Sequence, residues 1–203
     1  LGEGKIHMSI RKQEIQTVNT IEGLNLVETD TILAFPALIS KTEYQYDKIL
    51  WIDSRNSAKT HYFEKRPNLL EKVSIARAFT ALQHHRICKE YADRYDLVVA
   101  PSIDHLYANS SLYKSEAVKL FEDVCNSLEH KELIFSVDNN IGLKLKELAE
   151  NIIKVERTEL GLKYSDKETI TQSYFDKGLI QTTVKSYEEV EKWGELIKPT
   201  ETV

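Results

Sequence analysis

Three acids stand where short apolar runs end. Asp53 closes KILWID (48–53), Asp104 lies just beyond DLVVA (96–100), and Asp138 follows LIFSV (133–137). If those runs are parallel strands, the acids share the carboxyl edge of one sheet, which is where ligands of open α/β sheets bind. Three carboxylates converging there would suit Mg²⁺ and metal-assisted phosphoester hydrolysis. Acids at such an edge more often cap loops and the helices that follow. His84, His85 and Cys88 place an i, i+4 pair on one helix, the spacing of a zinc half-site. No second paired set of ligands occurs, so structural roles are expected for them. Neither Cys88 nor Cys125 has the His and acid context of a catalytic nucleophile, and GxSxG and HExxH are absent. Tyr91, Tyr95, Tyr107 and Tyr113 surround the DLVVA run, suited either to stacking on bases or to packing and loop anchoring.

The elements that must position these residues read as alternating strands and helices. ILAF (32–35), KILWID, VSIARA (73–78), DLVVA and LIFSV are apolar runs of buried-strand length. Between them, residues 80–94 suit a helix with Leu82, His85, Cys88 and Ala92 on one face. A second helix follows, with Ser115 as its cap and Val118, Phe121, Val124, Cys125 and Leu128 as its apolar stripe. This order predicts a mostly parallel sheet flanked by helices. After Leu143 the pattern changes: NIIKVERTE, ETITQSYF and GLIQTTV alternate like antiparallel strands, with turn residues at 176–178. SYEEVEKWGELI (186–197) closes as an amphipathic helix with Val190, Trp193 and Ile197 on its stripe. One domain over 1–203 is expected, with a core at about 10–157 and a C-terminal meander and helix at about 151–198.

Composition narrows the function. At 203 residues and 41% hydrophobic, the chain supports one sizeable core. No run approaches eighteen apolar residues, so no membrane helix is expected. The opening LGEGKIHMSI lacks a signal peptide's apolar stretch and reads as a frayed end. Two cysteines without CxxC spacing make an intracellular, reducing compartment the expectation. The net charge of −5 is unlike a protein that coats DNA alone, because neutralising phosphates requires a basic surface.

Several segments resemble the RecA/RadA recombinases and their paralogues. IRKQEIQTVNTIEGLNLVETDTI (10–32) resembles the strand and Thr-containing turn before that family's phosphate loop. IDSRN (52–56) stands where the family has IDTEG, and VSIARAF (73–79) resembles NVAYARAF. YDLVVAPSIDHLY (95–107) is similar to the Walker B strand with its trailing Leu-Tyr, and LIFSVDNN (133–140) to a strand ending in Thr-Asn-Gln. The resemblance covers roughly residues 10–157 and implies a reduced RecA-like fold.

It also implies that the family's chemistry is gone. The phosphate-loop register reads FPALISKT (35–42), which keeps Lys41 and Thr42 but contains no glycine, and Pro36 removes a backbone donor. The helix after that loop is expected to be almost deleted. Arg55 occupies the place of the water-activating acid, Pro101 that of the Walker B acid, and Asn140 that of the γ-phosphate-sensing Gln. Without these groups phosphoryl transfer has neither positioning nor charge stabilisation. The expected protein is a pseudo-ATPase without a cofactor, an accessory subunit in homologous recombination or DNA repair. Its partner would be another RecA-like subunit or a second copy of itself, with Trp193 as a candidate interface anchor. Single-stranded DNA would be contacted weakly, through Lys114, Lys144 and Lys146 near the loops at about 108–113 and 140–146, or through Arg11 and Lys12. Two rival expectations are a metal-assisted phosphoesterase using Asp53, Asp104 and Asp138, and a KaiC-like regulatory protein that does not bind DNA.

Overall fold

The computed structural model describes residues 21–42, 44–63, 66–158, 161–165, 169–176 and 179–186. The chain enters as strand β1 (Leu24–Thr29), helix α1 (Ala34–Lys41) and β2 (Ile49–Asp53). After a 3₁₀ turn at Thr60–Phe63 come α2 (Pro67–Lys72), β3 (Val73–Arg77), α3 (Ala81–Tyr91) and β4 (Leu97–Ala100). Then follow α4 (His105–Ala108), α5 (Lys114–Leu128), β5 (Glu132–Phe135) and α6 (Leu143–Glu147). Four strands close the described chain: β6 (Asn151–Thr158), β7 (Gly161–Ser165), β8 (Thr169–Asp176) and β9 (Leu179–Ser186).

Among the described residues these strands form one sheet in the order β3-β2-β4-β5-β1-β6-β7-β8-β9. The first six in that order run parallel. From β6 to β9 the pairings are antiparallel. The fold is therefore α/β, a mostly parallel core sheet flanked by helices, with an antiparallel C-terminal extension. Every residue of β2 and β4 is buried, the mark of central strands covered on both faces. Alternate residues serve opposite layers. Ile49, Trp51, Leu97, Val99 and Ile134 pack with Phe35, Leu38, Phe63 and Leu69 on the face that carries α1 and α2. Leu50, Ile52, Val98, Leu133 and Phe135 pack with Cys88, Phe121, Val124 and Leu145 on the face that carries α3 to α6.

Four local expectations are corrected. ILAF is not a strand: Ala34 and Phe35 open α1, whose residues 34–39 are all buried. A run buried all round has no visible period, and Pro36 falls in the first turn, where its missing N–H costs least. The phosphate-loop register is thus itself helical, and among the described residues no helix lies between Thr42 and β2. On α3 the buried face is Ala81, His84 and Cys88, while Leu82 is exposed. The cap of α5 is Tyr113, whose N–H donates to Glu116 Oε2 at 3.3 Å; Ser115 lies inside the helix. Finally, β6 pairs parallel with β1 and so belongs to the core sheet, and β7, absent from the sequence reading, starts the antiparallel part. The β8–β9 pairing runs from Thr169–Ser186 to Asp176–Leu179. The helix expected at 186–197, with Trp193, lies outside the described residues, as do Arg11 and Lys12.

Candidate functional site

The loops that leave β1, β2, β4 and β5 meet at the carboxyl edge of the sheet around a cavity of about 280 Å³. Its walls come from the β1–α1 turn (residues 29–32), Phe35, the loop after β2 (Arg55, Ser57) and the ends of β4 and β5. This is the position a nucleotide takes in an open α/β sheet.

The β1–α1 turn decides what the cavity can hold. A phosphate cradle needs unspent backbone N–H groups at the start of a helix. Here the Thr31 N–H donates to Thr29 Oγ1 at 3.1 Å and the Leu33 N–H to Thr31 Oγ1 at 3.3 Å. The Ala34 N–H donates to the Thr31 carbonyl at 3.1 Å and the Phe35 N–H to the Ile32 carbonyl at 3.3 Å. Pro36 has no N–H, and the Ala37 N–H is already within the helical ladder, on the Leu33 carbonyl. Lys41 is the last residue of α1, at the end away from the cavity, about 10 Å along the axis at 1.5 Å per residue. Thr42 is fully buried, and its hydroxyl donates to the Ile39 carbonyl at 2.9 Å. The Lys-Thr pair therefore terminates a helix instead of opening one.

Asp53 and Asp104, both buried, are spent on backbone. Asp53 Oδ1 accepts from the N–H groups of Arg55 (3.2 Å) and Ser57 (2.9 Å) and from the Ser57 hydroxyl (3.1 Å). Its Oδ2 accepts from the Ala58 N–H at 3.1 Å and lies 3.5 Å from Arg77 Nε. This network folds the IDSRN segment into a tight loop with Asn56 at φ 54°. Asp104 accepts from the N–H groups of Asp138 (2.9 Å) and Asn139 (2.7 Å), tying the loop after β4 to the loop after β5. Burial pushes its carboxyl above the usual range, and the two N–H donors only partly offset this. Asp138 is exposed, and Arg55 Nη1 reaches its Oδ2 at 2.7 Å. The three acids thus have separate duties, and among the described residues no group of three His, Cys, Asp or Glu side chains is arranged to hold a metal. Pro101 is buried in the wall, and its carbonyl accepts from the Ser54 hydroxyl at 3.3 Å. Asn140 is exposed at the start of a 3₁₀ turn and does not line the cavity.

The remaining candidates disperse. His84 is fully buried, with Nδ1 at 2.9 Å from the Tyr107 hydroxyl and 3.6 Å from Cys88 Sγ. Burial lowers its pKa to about 4, with His85 adding to the effect. Burial pushes the Cys88 thiol up, and the Cys125 thiol up to about 12, so neither supplies a ready thiolate. His85 pairs instead with Asp123 at 2.6 Å. Tyr107 is core, edge-on to Phe121 at 5.0 Å between ring centres, whereas Tyr113 is exposed and Tyr91 carries Arg94 over its ring. The four tyrosines do not form one stacking surface. Lys144 and Lys146 sit on α6 instead of a loop, and Lys146 reaches Glu28 at 3.3 Å. Lys144 lies near Cys125, eleven residues along α5 from Lys114 and hence about 16 Å away along the axis.

What the sequence reading missed is the hydroxyl lining: Thr29 and Thr31 from the turn, and Ser57, Ser102 and Ser136 from the facing loops. The only signal in the sequence was the Thr-Asp-Thr of residues 29–31, a turn composition.

No family model matches the chain, and no curated protein matches it. Among solved structures it is similar to a RadB recombinase, with a TM-score of 0.49 and 10% identity over 79% of this chain and 86% of that one. It is also similar to the flagellar accessory protein FlaH from Methanocaldococcus jannaschii, with a TM-score of 0.42 and 14% identity over 81% of this chain and 77% of that one.

Proposed function

We propose that the protein is a non-catalytic RecA-like subunit that works by binding another RecA-like chain, in homologous recombination or DNA repair. One observation carries the loss of catalysis: the first turn of α1 spends its N–H donors on its own turn, and Lys41 and Thr42 lie at the wrong end of that helix. The recombination setting rests on the motif resemblance of IDSRN, VSIARAF and YDLVVAPSIDHLY. Partner binding is supported by the outer edge of the sheet. Among the described residues β3 pairs on one side only, and beside it Phe79 and Leu82 are 71% and 61% exposed. Single apolar side chains on a surface are ordinary, but two next to an open strand edge offer both backbone and side-chain contacts. DNA contact is weak and shared in this reading, because Lys114 and the α6 lysines do not form one patch.

Titration calorimetry with Mg-ATP tests the first half: no binding tighter than about millimolar, about −4 kcal/mol, is expected. Micromolar affinity abolished by Lys41→Ala would overturn it. Affinity purification from native cells tests the second half, with a RecA-like chain expected in the complex. A protein that stays monomeric at high concentration and brings down no partner would overturn that half. Salt titration on single-stranded DNA should give a log–log slope near about −1.4 to −2, the value for two or three phosphates.

A further inference from the structure

We propose that the cavity at the carboxyl edge binds a cationic group, an alkylammonium or a guanidinium. The starting point is its charge. Asp30 lies on the cavity wall, exposed, and no ion pair engages it among the described residues. The nearby cation of the wall, Arg55, is committed to Asp138 at 2.7 Å. The lining therefore keeps one uncompensated carboxylate.

The second observation is independent of the acid. Ser102 is 8% exposed and lines the cavity in the left-handed region, at φ 51°. Its N–H donates to Ser136 Oγ at 2.8 Å, and its carbonyl accepts from Ser54 Oγ at 3.3 Å. The backbone is clamped from both sides, and the hydroxyl, open to the cavity, has no hydrogen-bond partner among the described residues. A hydroxyl left unspent on a nearly buried residue of a cavity wall is free to bond a ligand.

The charge of the lining sets the ligand's sign. An anion would face the Asp30 carboxylate, and the N–H groups of Thr31, Leu33, Ala34 and Phe35 are spent within the turn. Ammonium and guanidinium groups are pure donors and need acceptors. Asp30 and the lone pairs of Ser102 and Thr31 supply them. Ile32, Phe35 and Pro101 give an apolar wall for the methylene stem that carries such a head. A volume of about 280 Å³ suits a chain of lysine or arginine size and falls just below the range for larger ligands. The cation has two sources, a free small amine or a side chain of a bound protein.

The inference rests on the proposed loss of nucleotide binding, and the two fail separately. Calorimetry on the full chain uses three probes: agmatine, a capped pentapeptide with arginine between glycines, and Mg-ATP. Agmatine or the peptide is expected to bind, at about millimolar or tighter. The arm that binds more tightly identifies the source. Asp30→Asn should weaken binding about tenfold, Ser102→Ala a fewfold, and Glu129→Gln, a remote exposed acid, should change nothing. Failure of both amine probes overturns the cation site and leaves the pseudo-ATPase reading intact. Equal weakening by Asp30→Asn and Glu129→Gln also overturns it, as general attraction to an acidic protein. Tight Mg-ATP binding overturns both readings.

Discussion

The β1–α1 turn and the loop after β2 lie side by side at one edge of the sheet, and they satisfy their backbone donors in opposite ways. The first closes on itself, with Thr29, Thr31 and successive carbonyls taking the N–H groups. The second gives its donors to a buried carboxylate, Asp53, which gathers four hydrogen bonds and the Arg77 guanidinium. A self-closed turn holds its shape without a ligand and spends the N–H groups of Thr31, Leu33, Ala34 and Phe35 on itself. An acid-anchored loop spends its carboxylate in folding, so that group is no longer available to a metal. By two routes the same edge has become structural scaffold, and what remains open between them is a hydroxyl-lined cavity.

The comparison breaks most clearly at Asp53. Asp53→Ala strands one buried donor, three part-buried ones and the Arg77 charge, and should cost about 3–5 kcal/mol in urea unfolding. A loss under about 1 kcal/mol would show that the loop does not depend on the acid. Asp104 sharpens the contrast within the anchored loops through pH. Its folded pKa is raised, so in the window above the ordinary aspartate value the native state holds more protons than the unfolded one. Its contribution to stability is therefore present at low pH and lost as pH rises through the raised value. Asp104→Ala leaves two part-buried N–H groups unpaired, about 2–3 kcal/mol at low pH, and this penalty should shrink as pH rises. Urea midpoints of both proteins from pH 4 to pH 8 measure it; a penalty that grows with pH is the opposite result.

The self-closed turn is the smaller lever. Thr31→Ala removes the acceptor for the Leu33 N–H and should cost about 1 kcal/mol, the value of a lost cap. Retention of stability together with new Mg-ATP affinity would mean that the turn had been masking a working cradle. Smallest of all is the Arg55–Asp138 pair, both partners partly exposed, where Arg55→Ala should change stability by less than about 1 kcal/mol.

How much of this was legible varies along the chain. KILWID, DLVVA and LIFSV were readable as strands because apolar runs of that length, set between helical stretches, have few other solutions. The stripe of Phe121, Val124, Cys125 and Leu128 was readable because α5 buries one face only. ILAF was not, since α1 is buried on every side and a uniform apolar run has no period to count. The acids at Asp53, Asp104 and Asp138 were placed at the correct edge, but their partners are N–H groups of loops whose path no local pattern encodes. His84 and Cys88 stand together as their spacing requires, but among the described residues no group of three ligands forms around them, and His85 pairs with Asp123.

The sequence by itself determined the α/β class and the absence of a glycine-rich cradle, because both depend on residue types within a few positions of each other. Only the tertiary structure decided that β6 joins β1 in the parallel sheet, that Lys41 and Thr42 close a helix, and that Ser102 and Asp30 line one cavity. Those outcomes depend on which distant segments share a sheet edge, and hydrogen-bond satisfaction across that edge is a property of the assembled loops.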